Sequence, residues 1–319
     1  MKTCLLGSSD IKITSVIMGT WQAGKEMWSG IDDNETIRAI RSAFEAGITT
    51  IDTAETYGNG HSEKIVGQAI KKFRKQVVIA TKVFVNHLKY DQLIQACHNS
   101  LKNLGTDYID LYQIHWPSGS MGNKVVPVDE TLRAMDDLKQ QGKIRAIGVS
   151  NFSKIQLEKA SACTRIDSLQ PPYSLFWRHL EKDALPFCME NNITILAYSP
   201  MAQGILTGKF GFNHKFSKSD HRKANRLFQP ENYQRVQSAL TKLGPIAKRN
   251  KLTIGQLALA WVCSHQNTCA IAGARNREQV QQNAKAGSVQ LSIQDIAEME
   301  DIGRTVTDFL DDNPVLWRR

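Results

Sequence analysis

The chain has no apolar run long enough to cross a bilayer, which takes about 20 consecutive apolar residues. Its opening, MKTCLLGSSDIKI, carries only Cys4-Leu5-Leu6 before polar residues return. That is too short for the apolar region of a secretory signal. Both lacks point to a soluble cytoplasmic protein with no membrane partner. The six cysteines, at 4, 97, 163, 188, 263 and 269, form no CxxC and none pairs with histidine at zinc-finger spacing. No metal site is expected, and the thiols are expected to be reduced and to fill small core positions. No linker, low-complexity tract or repeat divides the 319 residues, so a single domain over 1–319 is expected. That length is ordinary for one α/β barrel.

Charge of one sign is in modest excess, at +9. Such an excess can mark nucleic-acid binding. No helix-turn-helix, zinc finger or aromatic RNA-binding strand accompanies it, so nucleic acid is not the expected partner. The cations cluster instead at Lys209, Lys215, Lys218, Arg222, Lys223 and Arg226, against Asp220 alone. With its glycines and histidines this segment reads as a mobile loop. Its charge suits a phosphate-bearing ligand; composition alone fits a solvated basic surface equally well.

What the chain does have is alternation. After a short hairpin pattern (KTCLLGSSDIKI), strand-like apolar runs recur at 15–19, 49–54, 77–83, 108–115, 144–150, 166–173, 194–200 and 268–274. Helical periodicity fills the gaps. Ile37, Ile40 and Phe44 share a face that Gly47 ends; Leu132, Met135 and Leu138 share another, ended by Gly142, with Asp129 as its expected N-cap. The long interval 201–267 holds the basic loop and two helical stretches, an insertion within the pattern. Residues 292–306 read as a final helix, followed by a tail ending in Trp317. Alternation of this kind predicts βαβ units, and eight parallel strands close a filled barrel. The expected fold is a single (β/α)8 TIM barrel with an N-terminal β-hairpin and an additional C-terminal helix. A doubly wound sheet would need GxGxxG after the first strand. The nearest match, Gly58-Asn59-Gly60-His61-Ser62-Glu63, lacks the third glycine and follows the second strand.

In such a barrel, function gathers where strands end. Asp52, Lys82 and His115 stand at three strand ends, and Tyr57 lies in the loop beyond Asp52. Singly, each has an ordinary reading as a loop cap, a packing ring or a strand-end polar group. Together they suit carbonyl reduction, where a proton must arrive as hydride does. Tyrosine is a protonated but reluctant acid at neutral pH. An ammonium at Lys82 would favour its phenolate and ease proton release. Asp52 would hold Lys82 charged, and His115 would donate to the carbonyl oxygen and orient it. General acid assistance is typically worth about 10²–10⁴-fold.

The runs IDTAETYGNGHSE (51–63), IATK (79–82), IDLYQIHW (109–116) and IGVSNF (147–152) resemble the aldo-keto reductase superfamily. The resemblance extends through AYSPMAQGILTGKF (197–210), HRKANRLFQPEN (221–232) and AGARNREQVQQN (272–283), nearly the whole chain. The bacterial general-stress and inositol-utilisation branch is the most similar. The resemblance implies a single barrel without metal that reduces aldehydes and ketones reversibly with NADPH. It implies a catalytic tetrad at Asp52, Tyr57, Lys82 and His115, with Tyr57 as general acid. Ser150, Asn151 and Gln170 resemble the clamp on the nicotinamide carboxamide, Tyr198 the aromatic stacked under that ring. Gly19, Thr20 and Trp21 belong to the same cofactor set. Ser199, Pro200, Met201, Gln203, Gly204 and Leu206 match the pyrophosphate loop, with Lys209 adding charge. Gly273, Arg275, Gln279, Gln282 and Asn283 match the adenosine end, although many relatives carry Glu where Gln282 stands. Arg275 favours a 2′-phosphate, hence NADPH; an NAD site would place a carboxylate there. Arg277 would assist.

Trp21, Met27, Trp28, Phe84 and Trp116 follow strand ends and would line a substrate mouth with Tyr57 and His115; Trp177 is a further candidate. Such a pocket favours an apolar or aromatic carbonyl compound, whether a reactive aldehyde to be detoxified or the oxidised form of a polyol. A second class stays open, a cofactor-binding regulatory or sensor subunit of the same fold, like the channel-associated β subunits. No oligomeric state is written in the pattern; a monomer suffices.

Overall fold

The computed structural model describes residues 1–26, 28, 30–212, 214, 216 and 220–311, with backbone only at 221 and 223. Met27, Lys215, Lys218, the Lys223 side chain and the tail to Trp317 therefore lie outside the described residues.

Strands β1 (Thr3–Leu5) and β2 (Lys12–Thr14) form an antiparallel hairpin. Eight parallel strands then close a barrel: β3 (Val16–Gly19), β4 (Thr50–Asp52), β5 (Val78–Val83), β6 (Ile109–Ile114), β7 (Ile144–Ser150), β8 (Ser168–Gln170), β9 (Thr194–Ala197) and β10 (Thr268–Gly273). They run in chain order, and β10 joins β9 to β3. Each parallel strand is buried between the barrel interior and a covering helix, which is why its sequence is a nearly unbroken apolar run.

The helices are α1 (Asp33–Glu45), α2 (His61–Ile70), α3 (Tyr90–Leu104), α4 (Val128–Gln140), α5 (Lys154–Cys163), α6 (Ala184–Glu190), α7 (Pro230–Arg249), α8 (Ile254–Val262), α9 (Arg277–Ala286) and α10 (Ile293–Thr307). Local chemistry sets their starts. Asp32 accepts from Glu35 N at 2.8 Å, and Ser153 and Thr253 build reciprocal capping boxes with Gln156 and Gln256. Asp129 departs from its expected role. Pro127 holds the N-cap position and the helix begins at Val128, two residues earlier than that role implies, so Asp129 sits inside the first turn, where its charge meets the positive end of the helix dipole. Helices α7 and α10 pack on each other. They are the insertion and the additional C-terminal helix.

The hairpin sends Leu6, Ile11 and Ile13 into one cluster with the barrel's inner residues Ile17, Ala80, Leu111, Ala146, Leu196, Cys269 and Ile271. Burying each large apolar side chain is worth about 1.5–3 kcal/mol, so the hairpin stops the barrel's N-terminal end as a plug. The opposite end carries the polar strand termini.

Candidate active site

Strand register brings the polar termini level. Gly19 pairs with Gly273 and Asp52, Lys82 with Gln113, and Ser150 with Gln170. At this rim the fully buried Lys82 ammonium lies 2.7 Å from Asp52 Oδ1 and donates to Thr53 O at 2.7 Å and Tyr57 OH at 3.5 Å. The His115 ring stands edge-on to Tyr57 (centroids 5.8 Å) and to Phe84 (5.7 Å). All four proposed catalytic side chains thus converge.

A second network borders them. Gln170 Nε2 donates to Asp52 Oδ2 at 2.9 Å, so both carboxylate oxygens are engaged. Ser150 Oγ donates to Gln170 O at 2.7 Å, and Asn151 Nδ2 donates to His115 O at 3.0 Å. Tyr198 OH donates to Asn151 Oδ1 at 2.9 Å. The expected carboxamide clamp is therefore wired into the tetrad through both Asp52 and His115.

Tyr57 is placed by contacts that no sequence pattern announced. Ser62 Oγ lies 2.9 Å from both Thr53 Oγ1 and Thr20 Oγ1, while Thr20 Oγ1 donates to Asp52 O at 2.9 Å. These hydroxyls tie the ends of β3 and β4 to the start of α2, with the Tyr57 loop between. Gly24 and Gly58 pack backbone to backbone beside it; a Cβ on Gly24 would lie 2.6 Å from the Tyr57 carbonyl carbon. On the other side Glu55 Oε1 accepts from Phe84 N at 2.5 Å and lies 3.0 Å from His87 Nδ1. Glu55 and Ser62 lie within the run IDTAETYGNGHSE, but nothing in that run pairs them with Phe84, His87 or Thr20, and Gly24 and His87 lie outside it.

Electrostatics amend one expectation. Burial raises the Tyr57 phenol above its ordinary value, and Lys82 offsets this only in part. The ammonium limits the rise rather than producing a net fall. Burial also works against the Lys82 ammonium, but Asp52 and Tyr57 outweigh it and hold the group above its usual value. His115 is pushed well below the usual imidazole range by burial and by the Lys82 charge, so it is neutral at pH 7. A neutral imidazole can still donate an N–H.

Around the rim, Ser199, Ala202, Gln203 and Gly204 all have positive φ, between 48° and 95°. The turn is tied internally, Ala202 N donating to Ser199 O at 2.8 Å and Gly204 N to Met201 O at 2.9 Å. Gln203 Oε1 accepts from Asn225 Nδ2 at 3.0 Å, which holds Asn225 against this turn. Burial and the nearby Arg222 and Arg275 cations depress the Lys209 ammonium, with Asp220 opposing. That surplus of positive charge fits a phosphate-bearing cofactor. Met201 is half-buried there, and Pro200 is buried. Leu206 departs from expectation: it is fully buried in the core and its N–H already donates to Met201 O.

Among the residues expected at the adenosine end, Arg275 N donates to Gln279 Oε1 at 2.8 Å, and Asn283 Nδ2 to Gly273 O at 3.3 Å. Arg275 lies over the Trp28 ring, 5.1 Å from its centroid, and Trp28 meets Trp21 edge-on at 5.4 Å. Trp28 therefore reaches the proposed cofactor side as well as the mouth. Gln282 accepts from Gln256 Nε2 at 2.6 Å, tying α9 to α8. Arg277 is exposed at the start of α9. Gln22, not foreseen, donates to both Gly19 O (3.2 Å) and Ala274 O (3.1 Å) and bridges the ends of β3 and β10. Trp116 is half-buried against the core, and Trp177 is buried in it, away from the substrate role considered for it.

The model of the Aldo/keto reductase family matches residues 15–304. The chain is similar to the aldo-keto reductase YhdN of Bacillus subtilis, 39% identical over 293 residues covering 88% of this chain and 87% of the relative. It is also similar to the NADH-specific methylglyoxal reductase of Escherichia coli, 34% identical, covering 96% and 99%. Among solved structures, the glycerol dehydrogenase AKR11B4 of Gluconobacter oxydans superposes with a TM-score of 0.89 at 33% identity, covering 97% of each chain.

Proposed function

Because the chain belongs to the aldo/keto reductase family of oxidoreductases, we propose that it reduces aldehydes and ketones to alcohols with NADPH, Tyr57 supplying the proton. The observation that carries this reading is the buried Asp52–Lys82 pair reaching the half-buried Tyr57 hydroxyl beside a neutral His115. The nicotinamide group, when bound, supplies the hydride. The residues that would hold it are Ser150, Asn151, Gln170 and Tyr198 at the ring. The 199–204 turn with Lys209 would hold the pyrophosphate, and Arg275, Gln279 and Asn283 the adenosine end.

The protein's own part follows from its charges. Negative charge grows on the carbonyl oxygen as it is reduced. A donated N–H from His115 and the Tyr57 O–H meet that oxygen, and the phenol's proton passes to it. Lys82, 3.5 Å behind the hydroxyl, then stabilises the phenolate left on Tyr57. Asp52 keeps Lys82 charged in a site where an unpaired ammonium would lose its proton. In alcohol oxidation the phenolate takes the proton back.

Half-buried Trp21, Trp28, Phe84 and Trp116 suit an apolar or aromatic carbonyl compound. One relative is named for methylglyoxal and a structural neighbour for glycerol, so small oxygenated substrates belong in the same screen. The test is cofactor absorbance with methylglyoxal and an aromatic aldehyde panel, using NADPH and NADH, and with glycerol, using NADP+ and NAD+. Sustained turnover lost in Tyr57→Phe, with cofactor binding retained, supports the reading. Tight cofactor binding without multiple turnover on any substrate would overturn it.

A further inference from the structure

Cys4 and Cys269 stand 265 residues apart in sequence, yet their sulfurs are 3.4 Å apart. Cys4 is the central residue of β1 in the hairpin, and Cys269 lies near the start of β10, inside the barrel. The pair thus sits at the plugged end, opposite the rim that bears Tyr57, and the reductase chemistry makes no use of it.

The two thiols are unequal. Cys4 is partly exposed, whereas Cys269 is fully buried. The hydrogen bond from Cys269 favours a thiolate on Cys4, while the same bond and burial keep Cys269 protonated. A third thiol, Cys263, is nearby but donates to Ser15 O at 3.1 Å. An oxidant therefore reaches the half-buried Cys4 thiol first, with the fully buried Cys269 thiol in contact behind it, the arrangement of an attacking and a resolving cysteine.

We propose that Cys4 and Cys269 are an oxidation site that closes a disulfide between the N-terminal hairpin and β10 on exposure to hydrogen peroxide. The Cys4 thiolate attacks one peroxide oxygen, the O–O bond breaks, and hydroxide leaves, giving a sulfenic acid on Cys4. The Cys269 sulfur then attacks the Cys4 sulfur. Its proton combines with the departing hydroxide as water. Overall two thiols lose two electrons and two protons, and one peroxide becomes two waters. The sulfurs need to close by roughly 1.3 Å to reach bonding distance. Cys4 lies on β1, between the exposed Thr3 and Leu5, and a shift of its side chain and of this short edge strand supplies that movement while Leu6, Ile11 and Ile13 stay seated in the barrel end.

The experiment uses the full chain carrying Cys163→Ser, which removes the exposed thiol on α5. After peroxide, blocking of remaining thiols and trypsin digestion, peptides 3–12 and 252–275 should appear joined, with two thiols lost per chain and both recovered by dithiothreitol. Fragmentation of the joined peptide should assign the bond to Cys269 rather than Cys263. Cys4→Ser and Cys269→Ala should abolish the link, and Cys263→Ser should keep it. A link through Cys263, or oxidation of Cys4 to sulfinic acid with no cross-link, overturns the proposal.

Discussion

Gly24 and Gly58 meet with no room for a side chain between them: a Cβ on Gly58 would lie 2.5 Å from Gly24 O. Gly58 also has φ +63°, which side-chain-bearing residues seldom adopt. The contact presses the loop after β3 against the loop that carries Tyr57. Gly58→Ala must move one of them. Overpacking of this kind costs about 1–3 kcal/mol, and a misplacement near 1 Å can cost about 10²-fold in rate. The expected result is a fall in kcat of that order with a lowered Tm and cofactor binding largely kept. A variant with near-normal kcat would show that this contact does not set the Tyr57 position.

The raised Tyr57 phenol gives a directional pH prediction. Reduction needs the protonated phenol, so its rate should stay level through neutral pH and fall only above about pH 10. Alcohol oxidation needs the phenolate, so its rate should climb about tenfold per unit toward that limb. Lys82→Met removes the charge that limits the rise. It should push the limb higher and harm oxidation more than reduction. The check is a pH–rate profile in both directions; an oxidation rate that is flat below pH 9 contradicts it.

These two cases show which parts of the molecule the sequence could disclose. All eight barrel strands were legible because burial on both faces leaves a run of apolar residues. Their ends were less so. The run at 166–173 shrank to Ser168–Gln170, because Pro171 and Pro172 cannot donate to a ladder. The meeting of Asp52, Tyr57, Lys82 and His115 was legible from residue types at strand ends and from family resemblance. Its supports were not. Gln170 reaches Asp52 across 118 residues and Gly24 reaches Gly58 across 34, and neither pairing leaves a periodic trace. The net direction in which the Tyr57 phenol is shifted was likewise invisible. It depends on how far burial outweighs Lys82, which is a property of the folded site.

His115 supplies a stability test. Its folded-state pKa lies well below the usual value, so the unfolded chain takes up this proton first as pH falls. Stability should therefore decline with acid from about pH 6.5 downward, where the unfolded imidazole titrates. His115→Gln lacks that proton uptake. The Tm of the wild-type chain should thus drop more steeply than that of the variant between pH 7.5 and 5. Parallel Tm curves would mean that His115 binds its proton equally well in both states.

The Arg275–Trp28 contact offers a test of cofactor choice. Arg275 is exposed and held over an indole, close enough to Lys209 to disfavour its charge. If it receives a 2′-phosphate, its removal costs a charge-assisted bond, about 1.5–3 kcal/mol, or roughly 10–100-fold in Kd. Arg275→Ala should weaken NADPH by that factor and NADH, which lacks the phosphate, by less than about threefold on the same argument. Trp28→Ala leaves the guanidinium but removes the ring beneath it. It should give a smaller loss in the same direction, because a cation–π contact at such a site is worth about 0.5–1 kcal/mol. Fluorescence titration of both variants with both cofactors distinguishes the cases. Equal losses for NADPH and NADH would assign Arg275 to a part that the two cofactors share, and would remove the physical ground for an NADPH preference.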